Sequence, residues 1–123
     1  MRLLTETELE LMHILWVLGG ATVIEVQENL ADDRDLAYTS VSTILRILEK
    51  KKFVKSHKDG RRHIYIPSID KSEYERFSLQ TLLYQVFTDT PTHLIRTLVD
   101  TRDLSSAELL SLQELIAKKL DEK

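Results

Sequence analysis

Apolar residues recur with helical spacing in three successive segments at the start of the chain. The stripes consist of Leu9, Leu11, Met12, Leu15, Trp16 and Leu18 in the first segment, Val23, Val26 and Leu30 in the second, and Val41, Ile44, Leu45 and Leu48 in the third. A repeat of about 3.6 residues places such positions on one side of a helix. The pattern therefore predicts three amphipathic helices, each with a buried face.

Local signals predict where these helices begin and end. Thr5 with Glu8 and Thr22 with Glu25 have the spacing of a capping box, in which each side chain satisfies a backbone N–H at the helix start. The pair Gly19-Gly20 is a typical C-terminal signal. For the third helix, the hydroxyls of Tyr38-Thr39-Ser40 are the predicted caps.

A hairpin is predicted after the third helix. Two strand-like runs, Phe53–His57 and Arg62–Ile66, flank Lys58-Asp59-Gly60-Arg61, which carries an Asp-Gly turn signal. Ile64 and Ile66 alternate with His63 and Tyr65, as in a half-buried ribbon, and Pro67 closes the second strand. Three helices followed by a hairpin are the order of a winged helix-turn-helix, which we assign to residues 1–69.

The remainder, residues 70–123, is predicted to be helical, so the fold class is mainly α with a small β wing (α+β). Apolar residues cover several faces of a helix from about Lys71 to Thr88, Pro91 interrupts, and Ser105 with Glu108 caps a last helix. A short chain cannot easily cover such surface alone, which favours a homodimer; a tail folded back on a monomer is the alternative. The predicted dimerisation residues are Tyr74, Phe77, Leu82, Leu83, Val86, Phe87, Leu94, Leu98, Leu109, Leu112 and Ile116.

Charge is distributed unevenly along the chain. The overall net charge of −3 divides into −6 for residues 1–35, +6 for residues 36–67 and −3 for residues 68–123. Positive charge is thus confined to the third helix and the hairpin. A local basic footprint of this kind suits phosphate binding, although a solvated basic face gives the same pattern.

The outward residues of these elements indicate double-stranded operator DNA as a partner. In helix-turn-helix proteins the helix after the turn enters the major groove, where Arg46 could pair with guanine and hydroxyls with bases or phosphates. Hairpin cations would contact the DNA backbone, whereas Lys51 and Lys52 are interpreted mainly as complementing the helix dipole. A winged-helix adaptor that binds proteins is the alternative. The predicted DNA-binding residues are Thr39, Ser40, Ser42, Thr43, Arg46, Lys50, Lys58, Arg61 and Arg62.

Other function classes have little support in the residues. There is no cysteine, the four histidines lack metal-site spacing, and no glycine-rich phosphate loop occurs, so we predict no catalytic site, metal or cofactor. No apolar run approaches the ~20 residues that span a bilayer, and the N-terminus turns acidic before a signal-peptide core could develop. We expect a cytoplasmic protein without membrane insertion.

Three segments of the chain are similar to the penicillinase and methicillin-resistance repressors, the BlaI/MecI family. They are Leu4 to Met12 ending in Leu15-Trp16, Tyr38 to Leu48, which resembles that family's recognition helix, and Gly60 to Pro67, which resembles its wing. The resemblance implies a dimeric repressor of a palindromic operator that controls genes such as a β-lactamase or a penicillin-binding protein. It also implies a membrane sensor protease system that ends repression by cleavage.

The chain departs from the family pattern at three places. Thr97-Leu98 stands where the best-known members carry Asn-Phe, which argues against induction by cleavage there. Lys52-Phe53 stands where the family usually has a glycine, so an altered turn is expected between the third helix and the wing. Copper-responsive relatives carry a cysteine-rich metal site, which a chain without cysteine cannot form.

Overall fold

The computed structural model describes residues 1–122 and confirms the predicted class, mainly helical with one two-stranded antiparallel sheet. Two compact units form, residues 1–79 and a second beginning at Gln80. The division at residues 69 and 70 between a DNA-binding domain and a dimerisation region stays a prediction. The elements are α1 (Glu6–Leu18), α2 (Val23–Glu28), α3 (Tyr38–Lys50), β1 (Val54–Asp59), β2 (Arg62–Pro67), α4 (Lys71–Gln85), α5 (Pro91–Thr101) and α6 (Ser106–Asp121).

All three predicted capping boxes form. In α1, α2 and α6 the cap hydroxyl accepts from the backbone N–H three residues later, and the glutamate there accepts from the backbone N–H of the cap. Gly19 ends α1 in the left-handed conformation, with φ of 79°. Because these motifs depend on neighbouring residues, they can be recognised in the sequence.

The predicted hydroxyl caps of α3 are wrong. The N-cap is Ala37, which offers no side-chain hydrogen bond, and Thr39 and Ser40 already lie inside the first turn. The helix starts before its hydroxyls, so they cannot act as N-cap acceptors.

The other end of α3 closes in a Schellman motif, a C-terminal turn of two backbone bonds. The N–H of Lys52 donates to the carbonyl of Glu49 at 3.0 Å, and the N–H of Phe53 donates to that of Leu48 at 2.9 Å. Phe53 and Leu48 are both buried, which supplies the apolar contact that usually accompanies this turn. Lys52 occupies the left-handed position, with φ of 70°. The residue that replaces the family's usual glycine therefore adopts a backbone conformation that glycine favours.

The core of the first unit lies between α1, α2, α3 and the hairpin. The fully buried side chains include the predicted stripe residues Leu11, Met12, Leu15, Val26, Val41, Leu45 and Leu48. Leu9 and Trp16 are partly buried at its edge, whereas Leu18 is exposed, contrary to the prediction. Leu18 is the last residue of α1, and this end of the helix extends beyond the residues that pack in the core.

Of the two alternating faces of β2, the hairpin buries the one that carries Tyr65 and not the one that carries the isoleucines. Tyr65 is only 4% exposed, while Ile64 is half-buried and Ile66 is exposed. Tyr65 exchanges two backbone hydrogen bonds with Ala21, of 2.8 and 3.0 Å, which adds an isolated bridge to the β1–β2 ribbon. This bridge turns the Tyr65 face towards the core. Asp59 pairs with Arg62, so the turn is shorter than predicted.

The second unit begins within α4, at Gln80, and from there on the helices bury little surface. Helix α4 ends at Gln85, before the predicted Thr88, because the N–H of Phe87 donates five residues back, to the carbonyl of Leu82, and not four residues back as in an α-helix. Thr90 caps α5, and Pro91 is its first residue. No side chain of α5 or α6 in the described part of the chain is buried. Across residues 1–122, none of the helices combines the length and apolarity needed to traverse a membrane.

Candidate nucleic-acid interface

The outward face of α3 presents hydroxyls and cations together. Val41, Leu45 and Leu48 hold the other face in the core, so the outward face is fixed relative to the rest of the first unit. Of the predicted DNA-binding residues on α3, Ser42 is half-buried, and the exposed ones are Thr39, Ser40, Thr43, Arg46 and Lys50. The Thr43 hydroxyl donates to the carbonyl of Thr39 at 2.8 Å, which leaves its lone pairs and its methyl group for a ligand.

The N-terminus of α3 is open to an anion. The first N–H groups of a helix have no intrahelical partner, and the Ala37 cap supplies no side-chain acceptor. Thr39 and Ser40 lie in this turn and are exposed, with hydroxyls that can donate to the same ligand. A phosphate at this end would meet backbone N–H groups, hydroxyl donors and the positive end of the helix dipole.

The wing tip presents three exposed cations, Lys58, Arg61 and Arg62. Arg62 donates to Asp59 at 3.1 Å, and both side chains are largely in solvent, so the pair is weak and can exchange for a phosphate. Lys58 and Arg61 make no ion pair with any residue between 1 and 122. The tip can therefore supply positive charge to an external anion.

The wing and α3 meet at a polar cluster formed by Arg46, Glu49, Ser56 and Tyr65. Ser56 lies opposite Tyr65 in the ribbon and donates to the Glu49 carboxylate. Burial raises the pKa of the Tyr65 phenol, and the negative charge of Glu49 adds to the rise. The positive charge of the Arg46 guanidinium acts in the opposite direction. Sequence reasoning missed Tyr65, because it considered each element's outward residues separately.

A second polar contact joins the end of α3 to the start of α1. Lys51 Nζ lies 2.7 Å from an Oε atom of Glu8, whose side chain is almost fully buried. Burial acts to raise the pKa of Glu8, but hydrogen bonds from Lys51 and Thr5 outweigh it, so the pKa falls below its ordinary value. Lys51, which we interpreted from the sequence as complementing the helix dipole of α3, thus forms a specific ion pair with Glu8.

The residues predicted to form a dimer fall into two groups. Tyr74 and Phe77 lie in the first unit, where Tyr74 packs against Trp16 and Phe53 and its hydroxyl accepts from the N–H of Leu4 at 2.9 Å. Tyr74 is 6% exposed and cannot offer much surface to a partner, and Phe77 is partly buried beside it. The others lie in the second unit, half-buried or exposed: Leu82, Leu83, Val86, Phe87, Leu94, Leu98, Leu109, Leu112 and Ile116.

Further exposed apolar residues extend that second group. Tyr84, Ile95, Leu110, Leu115 and Leu120 are all more than half exposed. The sequence pattern predicted a single apolar stripe along α6, made by Leu109, Leu112 and Ile116. The exposed apolar surface of α6 is wider than this stripe, because it also includes the additional residues of that helix. This surface is unusual for a stable monomer.

Comparison with known proteins places these features in one family. The penicillinase repressor family profile matches residues 4–118. The penicillinase repressor of Bacillus licheniformis is 26% identical over 92% of this chain and 88% of its own length. The transcriptional regulator BlaI of Mycobacterium tuberculosis is 41% identical over 57% of this chain and 51% of its own length.

Solved structures agree with this result. The DNA-binding domain of the repressor BlaI is 32% identical, covers 58% of this chain and 87% of its own, and superposes with a TM-score of 0.52. The monomeric form of Bacillus licheniformis BlaI in complex with the blaP half-operator is also 32% identical, covers 59% and 89%, and has a TM-score of 0.51. The winged-helix fold is thus common to these proteins and this one. The chain belongs to the penicillinase repressor family.

Proposed function

We propose that this protein is a transcriptional repressor that binds a palindromic DNA operator as a homodimer. The observation that carries the proposal is the outward face of α3, where exposed hydroxyls and cations follow one another along a helix whose N-terminus has no side-chain cap. The solved complex of a BlaI relative with its half-operator supports the same role for this fold. Such a role needs binding and release of DNA and no catalysis, and we place it in the cytoplasm.

In the proposed complex α3 lies in the major groove and the wing lies along the DNA backbone. Arg46 reads a guanine through its two parallel donors, a contact that discriminates between bases. Thr39 and Ser40 hold a phosphate oxygen at the start of the helix. Lys58, Arg61 and Arg62 add phosphate contacts, which raise affinity for every sequence and make it dependent on salt.

The homodimer is supported by the exposed apolar surface of the second unit. Val86, Leu98, Leu109 and Ile116 are each more than 40% exposed, which is costly unless another surface covers them. A second copy supplies a matching surface by symmetry and gives two recognition helices for the two half-sites of a palindrome. We omit Tyr74 from this surface because it is buried within its own unit.

Family membership supports control of β-lactam resistance or related genes. Thr97 and Leu98 lie inside α5, and cleavage of a helical segment requires local opening first. Since the dipeptide also departs from the family's Asn-Phe, we do not include cleavage at this position by a membrane sensor protease in the proposal.

Footprinting on the DNA upstream of the protein's own gene, across a salt series, tests the proposal. We expect a protected two-fold symmetric site whose affinity falls steeply between low and physiological salt. Absence of protection at low salt would contradict the proposal and favour the adaptor alternative, in which an apolar protein interface shows little salt dependence.

A further inference from the structure

We propose that Gln27 is a positioning residue for DNA binding, because its side chain holds the backbone at the point where α3 begins. The inference rests on the proposed function, since it assigns to Gln27 the placement of the helix end that holds a phosphate. It concerns the segment 29–37, which connects α2 to α3, and the hydrogen bonds that hold this segment.

The connection between α2 and α3 is long for a helix-turn-helix. It runs over nine residues, 29–37, whereas the turn between the two helices of this motif usually has three or four. Each added residue brings backbone freedom that must be restricted before α3 takes a single position. The N-cap of α3, Ala37, contributes no side-chain hydrogen bond to that restriction. The start of α3 therefore depends on contacts with other elements.

Side chains of α2 and of the connection itself supply those contacts. The amide Nε2 of Gln27 donates to the carbonyl of Leu36, the residue before the N-cap, at 3.0 Å. Further from α3, Arg34 donates to Glu10 at 3.0 Å and to Thr7 at 3.2 Å, which ties the connection to α1. The bond from Gln27 is partly buried and the two from Arg34 are exposed, so water competes least with the bond from Gln27.

The carbonyl that Gln27 holds is adjacent to the proposed phosphate-binding end of α3. One residue separates Leu36 from Tyr38, the first residue of the helix, and Thr39 and Ser40 follow with exposed side chains. A set of donors binds a phosphate most tightly when it is already in place, since little entropy is then lost in ordering it. Loss of the bond from Gln27 would release the backbone just before the helix. The cost would appear in DNA affinity, in addition to any loss of fold stability.

Gln27→Met tests this role, because it preserves the length of the side chain and removes its hydrogen-bond donor. Asn29→Leu is the matched control. It removes an amide that also donates to a backbone carbonyl, that of Glu25 at 2.8 Å, but this bond stays within α2 and its C-cap and does not reach α3. Both variants are studied as the full chain, under conditions where urea unfolding shows that each is folded.

Affinity is measured for a duplex selected from a random library with the wild-type protein, and for a scrambled duplex of equal composition. We expect Gln27→Met to weaken binding roughly two- to tenfold, the range of one hydrogen bond, and Asn29→Leu to leave it unchanged. The loss should be similar on both duplexes, because phosphate contacts carry no sequence information. A loss confined to the selected duplex would overturn the assignment of Gln27 to the phosphate-binding end of α3.

A second readout is hydrogen exchange in the free protein. The N–H of Val41 donates to the carbonyl of Ala37 at 3.0 Å, so its exchange reports on the first turn of α3, while the N–H of Leu45 reports on the middle of the helix. In Gln27→Met the exchange at Val41 should accelerate relative to Leu45, and in Asn29→Leu the ratio of the two rates should keep its wild-type value. A loss of overall stability alone would accelerate the exchange of both amides.

Failure of this role and failure of the proposed function give different results. If the wild type binds neither duplex, the proposed function fails and this inference falls with it. If the wild type binds DNA and Gln27→Met keeps either the wild-type affinity or the wild-type exchange ratio, only the positioning role is overturned. An equal loss of affinity in Asn29→Leu would also overturn it.

Discussion

Replacing Lys52 with glycine should stabilise the first unit. Lys52 has φ of 70° at the left-handed position of the Schellman turn that joins α3 to β1. A residue with a Cβ pays roughly 1–2 kcal/mol in this conformation. Glycine avoids that cost but loses more backbone entropy on folding, which reduces the gain in stability by roughly 0.5–1 kcal/mol.

The net gain expected for Lys52→Gly is therefore about 0–1.5 kcal/mol, with a midpoint of about 0.75 kcal/mol. For a unit of this size, the midpoint corresponds to a rise in Tm of roughly 3–6 °C. The Lys52 side chain is exposed and makes no ion pair with any residue from 1 to 122, so little is lost with it. Thermal and urea unfolding should be measured at one protein concentration, because a dimer's stability depends on concentration.

Lys52→Ala is the control that separates the backbone from the side chain. It removes the same charge and the same methylenes while leaving a Cβ on the left-handed backbone, so it should not stabilise the protein. If the glycine and alanine variants unfold at the same temperature, the reasoning from backbone strain is refuted. If alanine alone gains stability, the lysine charge and not the backbone was unfavourable.

Three further predictions follow from the interface, the ion pair and the exposed helices. Arg46→Ala should cost about 1–3 kcal/mol of binding free energy on the operator and relax specificity, while Arg61→Ala should weaken binding to all sequences evenly and reduce the salt slope. Equal, uniform losses for both variants in binding assays would contradict the assignment of Arg46. Glu8→Gln should cost about 1–2 kcal/mol at pH 7. Folding lowers the pKa of Glu8 below 4.5, so the contribution of the Glu8 carboxylate to stability is present above that pH and disappears as the pH falls through the folded-state pKa. Urea unfolding measured against pH should therefore show the stabilities of variant and wild type converging in acid. A difference that stays constant with pH would refute this prediction. Ile116→Glu should shift the protein towards monomer in sedimentation equilibrium, since a charge would be buried in the proposed interface; an unchanged dimer would exclude Ile116 from it.

The sequence predicted most reliably the features that neighbouring residues determine. Thr5 and Glu8 lie one helical turn apart, so their capping box depends on nothing distant. The buried stripe of α3 also follows from spacing alone, because Val41, Leu45 and Leu48 can face only one side together. Sequence therefore located the outward face of α3, including Arg46.

Features that depend on distant residues could not be predicted in this way. Both faces of strand β2 carry apolar side chains, so the alternation alone did not decide whether Ile64 or Tyr65 is buried. The backbone bridge between Ala21 and Tyr65 decides it, because it brings the Tyr65 face against the core. The partner of Lys51 is Glu8, on a helix far away in the chain. Nor could composition show that Tyr74, on a helix with several apolar faces, packs within its own unit.

The pair of backbone bonds between Ala21 and Tyr65 has a consequence for folding. A two-stranded hairpin alone is marginal in water, and this bridge attaches the wing to the segment between α1 and α2. We expect the amide protons of Ala21 and Tyr65 to exchange with solvent only in the global opening of the first unit, whereas those at the wing tip exchange through local fraying. The wing would then form late, after α1 and α2 are in place, since its closing contact spans much of the unit's sequence. A wing transplanted without Ala21 and its neighbours would lose the bridge that holds it.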